Sequence, residues 1–266
     1  MIESEIIPFY SIEPIGERVL VLAPHPDDEV LGCGGTIKIL LDKGKYVRVV
    51  FLTSGDKGEP DSILAREIVD SLKPHVTSYA IMREKEAKDT MDFLGIKEYE
   101  FLRFPDREIG INSESIYKEI YERVDIYDID TIYCPSIIEL NPDHRDTAKI
   151  CINLINESKV SSRAKMNELG LLFYEVTTPL RPNILVDITK VASEKRKAIR
   201  NYRSQLRLND YLEHIMALNR IRSLTVKGSR YVEAFWYIDK YLKERDLMGW
   251  ISYQDKIVRP MINSDF

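Results

Sequence analysis

Residues 18–23, RVLVLA, are apolar at five consecutive positions, with β-branched Val19 and Val21 among them. An alternating strand has one face to bury; an unbroken apolar run has two. The segment therefore predicts a central strand of a parallel sheet, covered by helices on both sides. The chain continues in that rhythm. EVLGCGGTIKILLDKGK reads as a helix with Leu31, Ile37, Leu40 and Leu41 on its apolar face and Gly44 as its stop. YVRVVFLTSG (46–55) is a second strand, and DKGEPDS a polar turn. MREKEAKDTMDFLG (82–95) is a helix with Ala87, Met91 and Leu94 on one side. YEFLRFPD (99–106) is a third strand. SESIYKEIYERVDIYD is amphipathic through Ile116, Ile120 and Val124. IDTIYCPSI (129–137) is a fourth strand, DHRDTAKICINLINES a helix and LGLLFYEV a fifth strand.

This alternation predicts an α/β fold, a Rossmann-like three-layer sandwich with a mainly parallel sheet. After about residue 180 the pattern changes. ITKVASEKRKAIRNYRSQL and YVEAFWYIDKYLKERDL are rich in charge and aromatics and both read as helices. One domain over 1–266 is expected, with a core at about 15–190 and a helical C-terminal elaboration at about 191–266.

Ligands of such sheets bind beyond the carboxyl ends of the strands. There the first strand runs into LAPHPDDEV, one imidazole and three carboxylates within five residues. His25 and Asp28 have the chemistry of metal ligands, and Pro24 and Pro26 shape a turn that aims them at one point. Asp27, beside a metal without binding it, would be a general base. The chain has four histidines: His25, His75, His144 and His214. Of the other three, only His144, in ELNPDHRDTA, follows a strand and opens a helix, so it is the candidate third ligand.

The same residues have an ordinary reading. Proline and acids begin many helices, and Asn141, Pro142 and Asp143 fit an N-cap and first turn. Glu29 reads as a helix cap or an orienting group, and Cys33 as a small buried thiol. Gly32, Gly34 and Gly35 cost about 1 kcal/mol each in a helix, so another backbone or a ligand is expected to approach closely. A dinucleotide site would need G-x-G-x-x-G after the first strand, where HPDDEVLGCGG stands instead.

PHPDDE followed by LGCGGT resembles the signature of the PIG-L/LmbE-like zinc de-N-acetylases, enzymes that remove acetyl from N-acetylglucosamine units. TSGDKGE, REKEAKDTMDFLG, FPD ending at Asp106, NPDHRDTA, YEVTTPLRPNILVDIT, YRSQL and YVEAF follow in the family's order. The resemblance implies zinc on His25, Asp28 and His144, with Asp27 as base and Arg83 and Asp106 holding the sugar or acyl part. It implies a small-molecule or glycoconjugate substrate bearing an N-acetylglucosamine-type sugar. Another divalent ion, iron or manganese, suits the same ligands. One position departs. The family commonly has H-P-D-H where this chain has N-P-D-H. Asn141 can donate a hydrogen bond to an oxyanion but cannot deliver a proton. The alternative is a catalytically weakened metal-containing sugar-binding protein.

Composition narrows the partners. Hydrophobic residues are 44% and charged residues 30%, a soluble globular balance. A net charge of −5 without a basic stripe argues against nucleic acid. No apolar run reaches the roughly 18–20 residues of a membrane helix. MIESEIIPFY lacks the features of a secretory signal. Three scattered cysteines without C-x-x-C fit a reducing compartment, so a cytoplasmic location is expected. The Tyr- and Trp-bearing tail offers a surface for a homo-oligomer.

Overall fold

The structure, a computed structural model, describes residues 12–58, 78–158 and 169–238. Its core is a seven-stranded sheet: β1 Arg18–Ala23, β2 Tyr46–Thr53, β3 Glu98–Phe104, β4 Thr131–Pro135, β5 Gly170–Tyr174, β6 Ile184–Asp187 and β7 Val232–Ile238. The order across the sheet is β3-β2-β1-β4-β5-β7-β6. β1 to β5 are mutually parallel, and β7 runs antiparallel to both β5 and β6.

Seven α-helices accompany the sheet among the described residues: α1 Asp28–Asp42, α2 Ser78–Leu94, α3 Ser113–Ile126, α4 Pro142–Ser158, α5 Ala192–Asn201, α6 Arg203–Leu206 and α7 Tyr211–Arg222. β1 sets the layering. Val19, Val21 and Ala23 face a cluster with Val30 and Ile37 of α1, Met91 of α2, Ile199 of α5 and Ile215 of α7. Leu20 and Leu22 face the opposite cluster, with Ile116 and Ile120 of α3 and Cys151 and Leu154 of α4. A strand buried on both faces is what the unbroken apolar run requires.

The chain leaves β1 for β2 and β3 on one side and returns to place β4 on the other. The strand order thus reverses between β1 and β4, where the connections part and leave a crevice at the strands' carboxyl ends. The loops carrying His25 and His144 both leave from that point.

Two sequence expectations are corrected, and one strand was not foreseen. YVEAFWY is not helical: residues 232–238 form β7, which lies between β5 and β6. β6, unassigned by pattern, is a four-residue strand. The glycines of α1 admit side chains, not backbone or ligand. A Cβ on Gly32 would stand 2.1 Å from the Tyr174 ring, and one on Gly35 2.7 Å from Ile188. Gly44, at φ 73°, ends α1 as expected. His75 and most of the DKGEPDS turn lie outside the described residues.

Candidate active site

His25 sits in the turn after β1, and Asp28 three residues on, at the start of α1. Asp28 Oδ2 accepts the His25 backbone N–H at 2.9 Å and lies 3.2 Å from His25 Nδ1. His144, in the first turn of α4, brings Nε2 to 3.1 Å from the same oxygen and 3.3 Å from His25 Nδ1. All three side chains are buried. The loop under them is pinned from β2, where Thr53 donates its N–H (2.9 Å) and its hydroxyl (2.8 Å) to the Pro24 carbonyl.

Two nitrogens and an oxygen therefore form a triangle with edges of 3.1 to 3.3 Å. Around an ion with bonds of about 2.1 Å, neighbouring ligand atoms stand about 3.0 Å apart at octahedral angles and about 3.4 Å apart at tetrahedral ones. The triangle fits a divalent cation, and its donor types suit one. The surrounding charge favours a cation as well. Burial works against charge on either imidazole, yet carboxylates prevail: those of Asp106, Asp143 and Asp28 at His25, and those of Asp28 and Glu139 at His144. Both rings are pushed up, His144 to about 9. Asp28 is held well below the ordinary carboxylate range, because attraction to His144 and His25 outweighs its burial.

The outer nitrogens are also addressed. His25 Nε2 lies 3.2 Å from Asp106 Oδ1 and 3.3 Å from Asp143 Oδ2. With the proton on Nε2, facing two carboxylates, the lone pair is left on Nδ1, within the triangle. These acids, with His25, form a second cluster able to hold a cation. Backbone N–H groups already occupy them, however. Asp106 accepts from Lys57 at 2.9 Å, and Asp143 from Arg107 at 2.8 Å. His144 Nδ1 points toward Glu139, 3.8 Å away. The Glu139 carboxylate also accepts the N–H groups of Val176, Thr177 and Thr178.

Asp27 stands outside the triangle. Its backbone has φ 127° and ψ −29°, a conformation rare for any residue but glycine. Its N–H donates to Glu29 Oε2 at 3.1 Å, and its carbonyl accepts from Val30 and Leu31 at 3.0 and 2.9 Å. Burial pushes its carboxyl up to about 7, against the pull of Arg83. Arg83 Nη2 lies 3.3 Å from Asp27 Oδ1, and the guanidinium donates to the carbonyls of Pro26 (2.6 Å) and Gly55 (2.7 Å). Arg83 is buried.

A cavity of about 450 Å³ opens over these groups. His25, Asp27, Asp28, Arg83, Asp106, Asn141 and His144 all line it, so the structure brings every sequence-selected residue to one place. Residues 20–155 match the family described as PIG-L: GlcNAc-PI de-N-acetylase. The chain belongs to the PIG-L family. It is a hydrolase of the N-deacetylase type, acting on N-acetylglucosamine-containing substrates. It is 30% identical over 208 residues to the diacetylchitobiose deacetylase of Thermococcus kodakarensis, covering 73% of this chain and 72% of that protein. It is 27% identical over 195 residues to a probable N-acetyl-alpha-D-glucosaminyl L-malate deacetylase 2 of Bacillus cereus, covering 71% and 83%. Its fold superposes on N,N'-diacetylchitobiose deacetylase from Pyrococcus horikoshii with a TM-score of 0.70, at 28% identity, over 91% and 94% of the two chains.

Within this PIG-L site, sequence reasoning passed over several contributors. Asp143 was visible in NPDHRD but read only as a first-turn acid. Glu139 carries no local signal, since its partners lie some 37 to 39 residues downstream. Gln205 and Tyr211 reach the cavity from the C-terminal helices. Asn141 does two things. Its Oδ1 accepts the Asp143 N–H at 2.9 Å, as a helix-capping residue does, and its amide nitrogen is the end left to donate at the cavity wall. No helix among the described residues is long and apolar enough to cross a membrane.

Proposed function

We propose that this PIG-L-family chain removes the N-acetyl group from an N-acetylglucosamine unit of a short chito-oligosaccharide, with zinc held by His25 Nδ1, Asp28 Oδ2 and His144 Nε2. The observation that carries the reading is the triangle of those three atoms, with Asp27 beside it in the same cavity. The disaccharide as substrate rests on the similarity to the two chitobiose deacetylases. A divalent ion at this place supplies Lewis acidity and lowers the pKa of a water molecule toward about 7.

The chain's own groups do the rest. Asp27, a buried carboxylate beside the triangle, accepts the proton of the attacking water. Arg83 keeps the Asp27 carboxylate in place through its ion pair and its two backbone carbonyl bonds. Asn141 Nδ2 donates to the acetyl oxygen as negative charge develops there. When the C–N bond breaks, the proton on Asp27 passes to the departing nitrogen. Amide and water thus become acetate and a free amine. Asp106 acts on His25 by holding its Nε2–H, and its own carboxyl lies at about 2, where the bond to His25 overcomes burial. Asn141 cannot supply the proton, so the return from Asp27 is the route this chain offers.

Acetate release from N,N'-diacetylchitobiose by the zinc-loaded protein tests the reading. Asp27→Asn is expected to keep its zinc and lose about 10²- to 10⁴-fold in kcat. Full turnover by that variant, or no acetate from any N-acetylglucosamine conjugate with the wild-type protein, overturns it.

A further inference from the structure

One buried ion pair lies beneath the site and takes no part in the chemistry above. Lys195 of α5 and Glu233 of β7 meet at 2.7 Å, and both side chains are fully buried. They meet at a break in α1. Cys33 has φ −140° and ψ 23°, outside the helical range, so the turn from Asp28 is separate from the body of the helix.

In an unbroken helix the Gly35 N–H would donate to the Leu31 carbonyl. Here both groups are paired elsewhere. Lys195 Nζ donates to Leu31 O at 2.9 Å. Glu233 Oε1 accepts the Gly35 N–H at 2.8 Å, and its Oε2 accepts that of Thr36 at 2.7 Å. The pair is thus inserted into the backbone ladder, with the cation on the open carbonyl and the anion on the open amides. A side chain entering the ladder is a recognised cause of a kink. A buried ion pair is a poor means of gaining stability, and here its hydrogen bonds hold the two sides of the break in α1.

We propose that Lys195 and Glu233 are positioning residues: by splitting α1 they set the aim of the Asp27–Asp28 turn into the cavity. The inference rests on the metal-site reading of Asp28 and the base reading of Asp27. It makes the C-terminal part of the chain a component of the site, because α5 and β7 supply the two charges.

The test compares wild-type protein with Lys195→Met/Glu233→Gln, which removes both charges together and leaves no lone buried ion. Each is titrated with Co²⁺, whose visible absorption reports ligand geometry, and zinc-loaded samples are assayed with N,N'-diacetylchitobiose. The double variant is expected to melt cooperatively and to bind Co²⁺ at least tenfold more weakly. Its visible bands should be displaced, and kcat should fall by more than KM rises. A folded double variant with wild-type affinity, spectrum and kcat overturns the inference. Should the double variant not fold, hydrogen exchange on the wild-type protein decides. Saturating metal should slow the Gly35 and Thr36 amides more than the Tyr99 and Phe101 amides of β3, and equal slowing of both sets overturns the inference. A wild-type protein that binds no Co²⁺ removes the metal-site reading and this inference with it, whereas wild-type binding unchanged in a folded variant removes the inference alone.

Discussion

Asp27 holds a backbone conformation that costs a non-glycine residue about 1–3 kcal/mol. Glu29 is the neighbour that fixes it, with Oε2 on the Asp27 N–H and Oε1 on the Tyr202 hydroxyl. Burial pushes the Glu29 carboxyl up to about 8, from an ordinary value of 4.5. Below pH 4.5 the proton is present in folded and unfolded chains alike. Between 4.5 and 8 the unfolded chain releases it and the folded chain keeps it, so stability falls as pH rises through that window. Glutamine can hold both bonds and cannot ionise. In metal-free protein, Glu29→Gln is therefore expected to gain unfolding free energy relative to wild type as pH rises from 5 to 8, by an amount on the order of a few kcal/mol. A constant difference across that range would show that Glu29 is ionised in the folded chain.

At the scale of the element, α1 is where catalytic demand and packing demand meet. Tyr174 is fully buried, lies flat against Gly32 and donates its hydroxyl to the Leu22 carbonyl of β1 at 2.8 Å. Gly32→Ala must displace that ring or lift α1, at about 1–3 kcal/mol. It is also expected to lower metal affinity, because the displaced turn carries Asp28. Gly44→Ala has open space around it and only an unfavourable φ to bear. It should cost about 1 kcal/mol and leave metal affinity alone. Chemical denaturation and zinc titration of the two variants measure both effects, and equal metal affinities would detach Gly32 from the site. The glycine cluster was legible as a place of close approach, but what approaches was not, since Tyr174 and Ile188 lie far along the chain. β7 was illegible for a related reason. A strand with Glu233 fully buried at its second position violates the apolar pattern, and Lys195, which balances that charge, stands 38 residues away.

For the whole molecule, what placed the site was the reversal of strand order between β1 and β4. The parallel half of the sheet could be read from apolar runs such as RVLVLA, because burial on both faces leaves a mark at every position. The loops after β1 and β4 could be read as site-bearing because histidine and acids crowd where apolar runs end. The antiparallel return of β7 between β5 and β6 left no such mark, since nothing in a short strand states which neighbour it joins. The supporting carboxylates Glu139 and Asp143 were likewise hidden until the fold brought their partners to them. Two loops separated by more than a hundred residues thus share one ion. Metal content by mass spectrometry, on protein dialysed after zinc loading, tests this most directly. One zinc per chain is expected in the wild type and in Asp27→Asn, and less than about a tenth of that in His25→Ala and in His144→Ala. A wild-type protein without zinc, or either histidine variant retaining a full equivalent, would contradict it.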